Sequence, residues 1–223
     1  MAMATESQSA PLPAYEDFLR LVSKRRSIRK YQRREVSREV IEKLLEAAYW
    51  APSGKNNQNW RFFVVRGKKK DEYLPLSKKS WEPLRPILEK RLKPKLFKFT
   101  EEFFATLGGA PVILFAFSKP NPEENNQTAL GGVYMAVNNL MLAAVSLGLG
   151  TCPMGASLAI KEELAEFLGI GDEDLQLVCA VVVGYPDHSP PGAQRQVEGR
   201  ATWLGFDEIG REPRDEDHKP PDQ

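Results

Sequence analysis

The chain has 223 residues, with 31 Lys and Arg against 30 Asp and Glu, a formal charge of +1, and 42% apolar residues. That length supports one sizeable core, and the balanced charge argues against a nucleic-acid partner, whose binder carries a basic bias over a whole domain. Two cysteines in neither a CxxC nor a metal-ligand spacing, and only two histidines, leave little for a disulfide framework, a zinc site or a His-based triad.

Residues 1 to 12 are small and polar and read as disordered, with no cationic start and apolar run of a signal peptide. A first helix is expected from Tyr15 through Ser23, with Phe18, Leu19 and Val22 on its apolar face. Ser37 can cap a second, in which Val40, Ile41, Leu44, Leu45 and Ala48 recur at helical spacing until Pro52 ends it. Trp60 to Arg66, "WRFFVVR", is a strand by its aromatic and β-branched content. Residues 67–109 are Lys-rich and broken by four prolines. They read as short surface helices, placed where a mobile cover over a site would be.

"PVILFAF", from Pro111, is apolar throughout and therefore a buried central strand. A long helix follows, with Val133, Val137, Leu140, Met141, Ala144 and Val145 on one stripe and Gly148 and Gly150 as its stop. Asn138 and Asn139 interrupt the richest apolar run, so no membrane span is expected. A helix over 160–168 and the strand "LQLVCAVVVGYP" complete the regular elements. Trp203, Leu204, Phe206 and Ile209 are too apolar to lie free, which points to burial against a second subunit. A polar, acidic tail occupies 211–223. The pattern implies one α+β domain over 13–210, a small mixed sheet flanked by helices.

Charge is unevenly spread. Arg66 to Lys98 holds twelve Lys/Arg against four Asp/Glu, a net of +8, and the stretch from Asp207 nets −4. These are either two solvated faces of opposite sign or a basic lid that draws in anions. "SLGLGTCP" fails as a dinucleotide fingerprint, because its third glycine position is Pro153 and it follows a helix. Two thiols in a chain of this length fit a reducing cytoplasm.

Two stretches remain. "KRRSIRKY", Lys24 to Tyr31, sets Arg25, Arg26 and Arg29 around Ser27, a set suited to phosphate oxygens or to a solvated basic face. "APSGKNNQNW", Ala51 to Trp60, builds a tight turn from Pro52 and Gly54. There Ser53, Asn56 and Gln58 offer uncharged donors and acceptors that suit the edge of a planar heterocycle, or simply end a helix.

With "RRSIR", "EVIEKLLEAAYWAPSGKNNQNWRFFVV", "AVNNLMLAAVSLGLGTCPMG" and "VVVGYPD" in this order, the chain resembles the FMN-dependent nitroreductase family over roughly residues 20 to 200. The resemblance implies an α+β fold, a homodimer exchanging extensions, and an FMN at each interface. By position, Arg25 and Ser27 would hold the FMN phosphate with Arg26 beside them, and Arg29 would lie nearer the ribityl chain and the N1/O2 edge. Pro52, Ser53, Gly54 and Asn56 would contact the ring from the other subunit. Pro153 and Met154 would line its face, and the Gly155 N–H would point at N5. Where the family has a basic residue after "GYPD", this chain departs in spacing; Arg195 is the first choice and Arg200 the second. The implied activity is ping-pong transfer of electrons from NADH or NADPH to a flat acceptor such as a nitroaromatic, quinone or activated alkene, with no catalytic side chain. The alternatives are a non-catalytic flavin carrier or redox sensor using Cys152, and a reductive dehalogenase. The latter is disfavoured because Lys69 stands four residues before Tyr73 where that lid requires Glu.

Overall fold

The computed structural model describes residues 12–171, 174–192 and 194–205. They fall into two units, one up to Gly192 and one from residue 193 onward. The expected disordered N-terminus, the acidic tail, Phe206 and Ile209 lie outside or almost wholly outside the described residues.

The first unit runs α1 (Tyr15–Lys24), α2 (Arg38–Tyr49), β1 (Trp60–Arg66), α3 (Gly67–Trp81), α4 (Arg85–Arg91), α5 (Pro94–Thr106), β2 (Val112–Ser118), α6 (Asn126–Ser146), β3 (Gly150–Met154), α7 (Lys161–Leu168) and β4 (Gln176–Gly184). The strands form one sheet in the order β1-β2-β4-β3. Every pairing between them is antiparallel, which corrects the expected mixed sheet. Among the described residues, the one parallel contact is an isolated bridge between Ser27 and Thr151.

β2 is buried along its whole length because both sheet faces are covered. Ile113, Phe115 and Phe117 point into one core with Tyr73, Trp81, Phe103 and Phe104 of α3 and α5. Val112, Leu114 and Ala116 point into the other, with Ile41, Leu44, Val133, Val137 and Leu140 of α2 and α6. This period of two explains why β2 shows no polar alternation.

Two further expectations are corrected. The segment 67–109 is helical but not merely superficial: Tyr73, Ser77, Ser80 and Trp81 of α3 are buried, and only α4 has no buried residue. Gly150, expected with Gly148 as the stop of the long helix, instead opens β3. Separately, α6 is long and apolar enough to cross a bilayer by composition, yet its stripe from Ala129 to Ala144 is packed into the core. α1 buries nothing, and Tyr15, Phe18 and Leu19 are exposed, as are Tyr134 and Met135 of α6.

In the second unit, residues 194–205 contain no helix or strand. Trp203 and Leu204 are exposed.

Candidate functional site

After α1 the chain becomes extended at Arg25 (φ −61, ψ 127) and runs along the free edge of β3. Ile28 N donates to Thr151 O at 2.9 Å, Tyr31 N to Gly108 O at 2.9 Å and Gln32 N to Tyr185 O at 2.9 Å. The Tyr31 hydroxyl donates back to Ile28 O at 2.6 Å. Two glycines permit this approach. A Cβ on Gly108, whose φ is +62, would stand 2.1 Å from Arg29 O, and one on Gly150 would stand 2.5 Å from the Ile28 side chain. The arginine-bearing segment is thus fixed through its backbone.

Extended geometry alternates those side chains. Arg25, Ser27 and Arg29 share one side, and all three act on Cys152: burial pushes its thiol up, while Arg29, Arg25 and a hydrogen bond with Ser27 pull it down. Arg26 takes the other side. Its Nη1 donates to Arg25 O at 2.9 Å and to Ser23 O, which holds the end of α1. The same guanidinium borders a cavity of about 340 Å³ with Lys24, Thr151 and Ser189. Arg26 Nε and Thr151 Oγ1 are buried without partners. The structure therefore brings Arg25, Ser27 and Arg29 together and separates Arg26 from them. Arg29 also borders a second cavity, of about 500 Å³, with Tyr31, Phe103, Thr106 and Gly108.

The turn after α2 is unusual in backbone. Lys55, Asn56 and Gln58 all have φ between +47 and +56, a region that costs non-glycine residues free energy. Internal bonds hold it: Gln58 N donates to Ser53 Oγ at 2.9 Å, Gln58 Nε2 to Asn56 Oδ1 at 3.0 Å and Asn57 Nδ2 to Glu124 Oε2 at 3.0 Å. Ser53 and Asn56 consequently spend acceptor capacity on the turn itself. Asn59, which the sequence did not single out, anchors it. Buried, it donates to Ser118 Oγ at 2.7 Å and to Ala129 O at 3.2 Å. Pro52 is exposed, Gly54 lies against Glu124, and Asn56 opens on a cavity of about 750 Å³ with Tyr49, Trp50 and Trp60.

These two groups do not meet within one chain. Ser27 is bridged to Thr151, which pairs through Val183 and Val112 with the level of Arg66, whereas the turn enters β1 at Trp60. That is six residues along the strands and four strand spacings across them, roughly 20 Å in each direction and roughly 28 Å in all.

At the end of β3, Pro153 and the following Gly155 are exposed, and open space lies beside the Gly155 Cα. The Met154 side chain turns inward and is 3% exposed, which leaves its main chain on the side of Pro153 and Gly155. Arg195 and Arg200 belong to the second unit, where both are exposed and Arg200 Nη2 donates to Gln196 Oε1 at 3.0 Å.

Among the described residues, burial holds both cysteines and Tyr73 in their neutral forms. Burial pushes the Cys179 thiol up to about 12 and the Tyr73 hydroxyl to about 12 against a hydrogen bond with Ser157. No cluster of three metal-ligating side chains occurs among the described residues. What is available is a fixed phosphate-type cradle, polar turn atoms and main-chain edges, a set suited to a bound organic cofactor.

Comparison with known proteins agrees. The Nitroreductase family profile matches residues 22–185. The chain is 25% identical over 225 residues to a 4-nitrobenzoate reductase of Pseudomonas putida, covering 86% of this chain and 97% of that protein. It is 30% identical over 176 residues to an iodotyrosine deiodinase of Thermotoga neapolitana, covering 77% and 89%. A Desulfovibrio desulfuricans protein whose structure was solved in complex with FMN superposes with a TM-score of 0.63 at 27% identity, covering 80% of this chain and 91% of that one. The profile spans well over half the chain and begins and ends on the elements that build the cradle: this protein belongs to the nitroreductase family.

Proposed function

We propose that the protein is an FMN-dependent oxidoreductase that takes electrons from NADH or NADPH and passes them, in ping-pong fashion, to a flat acceptor such as a nitroaromatic, a quinone or an activated alkene. The observation that carries this reading is the extended segment 25–29, fixed by its backbone to β3 with Arg25, Ser27 and Arg29 on one side. The relatives' names, a nitrobenzoate reductase and a protein crystallised with FMN, support it.

The residues present fit FMN. Arg25 would hold phosphate oxygens through two parallel N–H donors while the Ser27 hydroxyl takes a third. Arg29 would offset the negative charge that reduction brings, favouring the reduced form. Pro153 and Gly155 leave an open edge for a planar ring, and the pre-shaped turn at Pro52, Ser53, Gly54 and Asn56 supplies uncharged polar contacts. Bound there, FMN supplies reversible two-electron hydride chemistry that no side chain here performs. Arg26, facing the other way, stiffens the segment from behind; Arg195 or Arg200 would complete the phosphate clamp.

The roughly 28 Å between cradle and turn is the reason for a homodimer: one subunit supplies the first and its partner the second. The exposed apolar faces of α1 and of Tyr134 and Met135 fit subunit contact.

Dehalogenation of the deiodinase type is disfavoured. Tyr73, the one tyrosine of the basic segment, is fully buried with its hydroxyl 3.1 Å from Ser157 Oγ. Lys69 is turned to Glu72 and to the Phe167 ring. A non-catalytic flavin carrier is separated by anaerobic mixing with NADH and NADPH, since only an oxidoreductase loses its yellow absorbance.

The direct test is Arg25→Ala with Ser27→Ala. The protein should fold, with unchanged circular dichroism, and purify colourless; retention of stoichiometric FMN would refute the phosphate assignment.

A further inference from the structure

The sequence reads Gly54 as a glycine that a tight turn needs for its conformation, and the structure gives it a different reason. Gly54 is not among the residues with positive φ, whereas its neighbours Lys55, Asn56 and Gln58 are. What requires glycine here is a close approach. A Cβ on residue 54 would stand 2.2 Å from Glu124 Oε1, 3.2 Å from the carboxyl carbon of Glu124 and 3.1 Å from the Thr128 methyl. The Glu124 carboxylate therefore occupies the space in which a side chain of residue 54 would lie.

That carboxylate grips the turn at two points. Oε2 accepts from Asn57 Nδ2 at 3.0 Å. Oε1 lies against Gly54 and is buried without a hydrogen-bond partner. A carboxylate oxygen removed from water without a donor costs free energy, so its placement needs a compensating role. Glu124 is itself fixed in place. Its N–H donates to Asn121 O at 3.0 Å, and the next residue, Asn125, caps α6 by accepting from Gln127 N at 2.8 Å.

The turn's own bonds are of another kind. Asn56 N donates to Ser53 O at 3.0 Å, Asn57 N to Gly54 O at 2.9 Å and Gln58 N to Ser53 Oγ at 2.9 Å. Such bonds set the shape of the turn but not its place relative to the rest of the subunit. Three residues in the left-handed region also persist only where the surroundings over-determine them. Asn59 supplies an outside tie at the end of the turn, and Glu124 supplies one at its tip.

We propose that Glu124 is a positioning residue for the cofactor: reaching from the loop before α6, it grips Gly54 and Asn57 and holds the turn where Pro52, Ser53, Gly54 and Asn56 meet the flavin ring. The assignment to flavin rests on the FMN-dependent reading above; the grip itself does not.

The test compares the purified full-length holoprotein with Glu124→Ala, Glu124→Gln, Gly54→Ala and the combination of Gly54→Ala with Glu124→Ala. Flavin release on dilution, read by fluorescence, should show Glu124→Ala binding FMN about tenfold more weakly, as for the loss of a hydrogen bond to a charged group. The visible circular dichroism of the flavin still bound reports the surroundings of its ring and should change as well. Glu124→Gln keeps the length and an oxygen for Asn57 Nδ2, and should restore most of both. Gly54→Ala should reproduce Glu124→Ala, because its Cβ displaces the carboxylate, and the double variant should be no worse than either single one. In the proteins as purified, the Asn57 side-chain amide resonance, assigned through Asn57→Ala, should move alike in Glu124→Ala and Gly54→Ala. Wild-type FMN affinity and dichroism in Glu124→Ala, losses that add in the double variant, or an amide resonance that stays in place in both would overturn the proposal. A protein that releases no flavin on boiling and takes none up, yet moves its Asn57 amide, would sink the FMN reading and leave the grip standing.

Discussion

Gly108 is where a single atom matters most. Its φ of +62 and the 2.1 Å separation of a hypothetical Cβ from Arg29 O mean that alanine is strained in backbone and collides with backbone. No side-chain rotation relieves that, so Gly108→Ala should cost at least about 2 kcal/mol and displace Arg29. Chemical denaturation measures the first effect and flavin affinity the second; a variant with wild-type values for both would show that the segment is not held as tightly as its hydrogen bonds indicate. The buried acids at this scale set a pH dependence. Cys179 and Tyr73 are each pushed up to about 12 by burial, while in the unfolded chain they ionise at their ordinary values. Their neutral forms favour the folded state fully below about pH 8.5. That contribution is lost as pH rises through the folded-state values, on the order of 4 kcal/mol for the thiol alone. The urea midpoint should therefore fall between pH 9 and the highest pH accessible, and less steeply in Cys179→Ala. A midpoint that stays flat through pH 11 would mean that these groups are more solvated than their burial implies.

Elements succeed or fail as units according to what their buried face is made of. The turn after α2 hangs on Asn59, whose amide satisfies both Ser118 and the Ala129 carbonyl. Asn59→Ala takes the amide donor from the buried Ser118 hydroxyl and removes the second hydrogen bond of the Ala129 carbonyl, and the expected loss is about 2 kcal/mol, measured by denaturation, with Asn59→Asp no better. Rescue by Asp would point to solvent in the site. The same logic explains what was legible in the sequence. β2 announced itself because residues 112–117 are apolar on both faces, and α2 and α6 because their stripes are aliphatic at helical spacing. α3 concealed its role: its buried face is Tyr73, Ser77, Ser80 and Trp81, and two serines in an apolar stripe look like surface. Inside, Ser77 Oγ donates to Phe104 O and Ser80 Oγ to Ser77 O, each at 2.7 Å, so both polar groups are satisfied without water. β3 was hidden for another reason. Five residues containing Gly150 and Pro153 carry little strand signal, and Pro153 is tolerated only because β3 is the outermost of the four strands. In the candidate site, the types of residue in 25–29 could be read, but their sidedness could not. Only the Ser27–Thr151 bridge sets which guanidiniums face together and turns Arg26 away.

At the scale of the whole molecule, the separation of roughly 28 Å between the arginine segment and the polar turn makes a prediction that a site built within one chain cannot share. Two defective variants are combined. Arg25→Ala with Ser27→Ala disables the cradle and leaves the turn intact. Gly54→Val disturbs the turn, because its new Cβ would meet Glu124 Oε1 at 2.2 Å and push away the carboxylate that accepts from Asn57 Nδ2, and leaves the cradle intact. Each homodimer then has no complete site. In a mixed dimer, one interface combines the intact cradle with the intact turn and the other combines both defects. Random exchange of equal amounts makes half of the dimers mixed, so about a quarter of all sites should be complete. Refolding the two variants together should accordingly recover about a quarter of wild-type FMN binding, whereas mixing them without subunit exchange should recover none. If each chain closed its own site, refolding together would recover nothing, because every chain carries a defect, and the shared architecture would have to be abandoned.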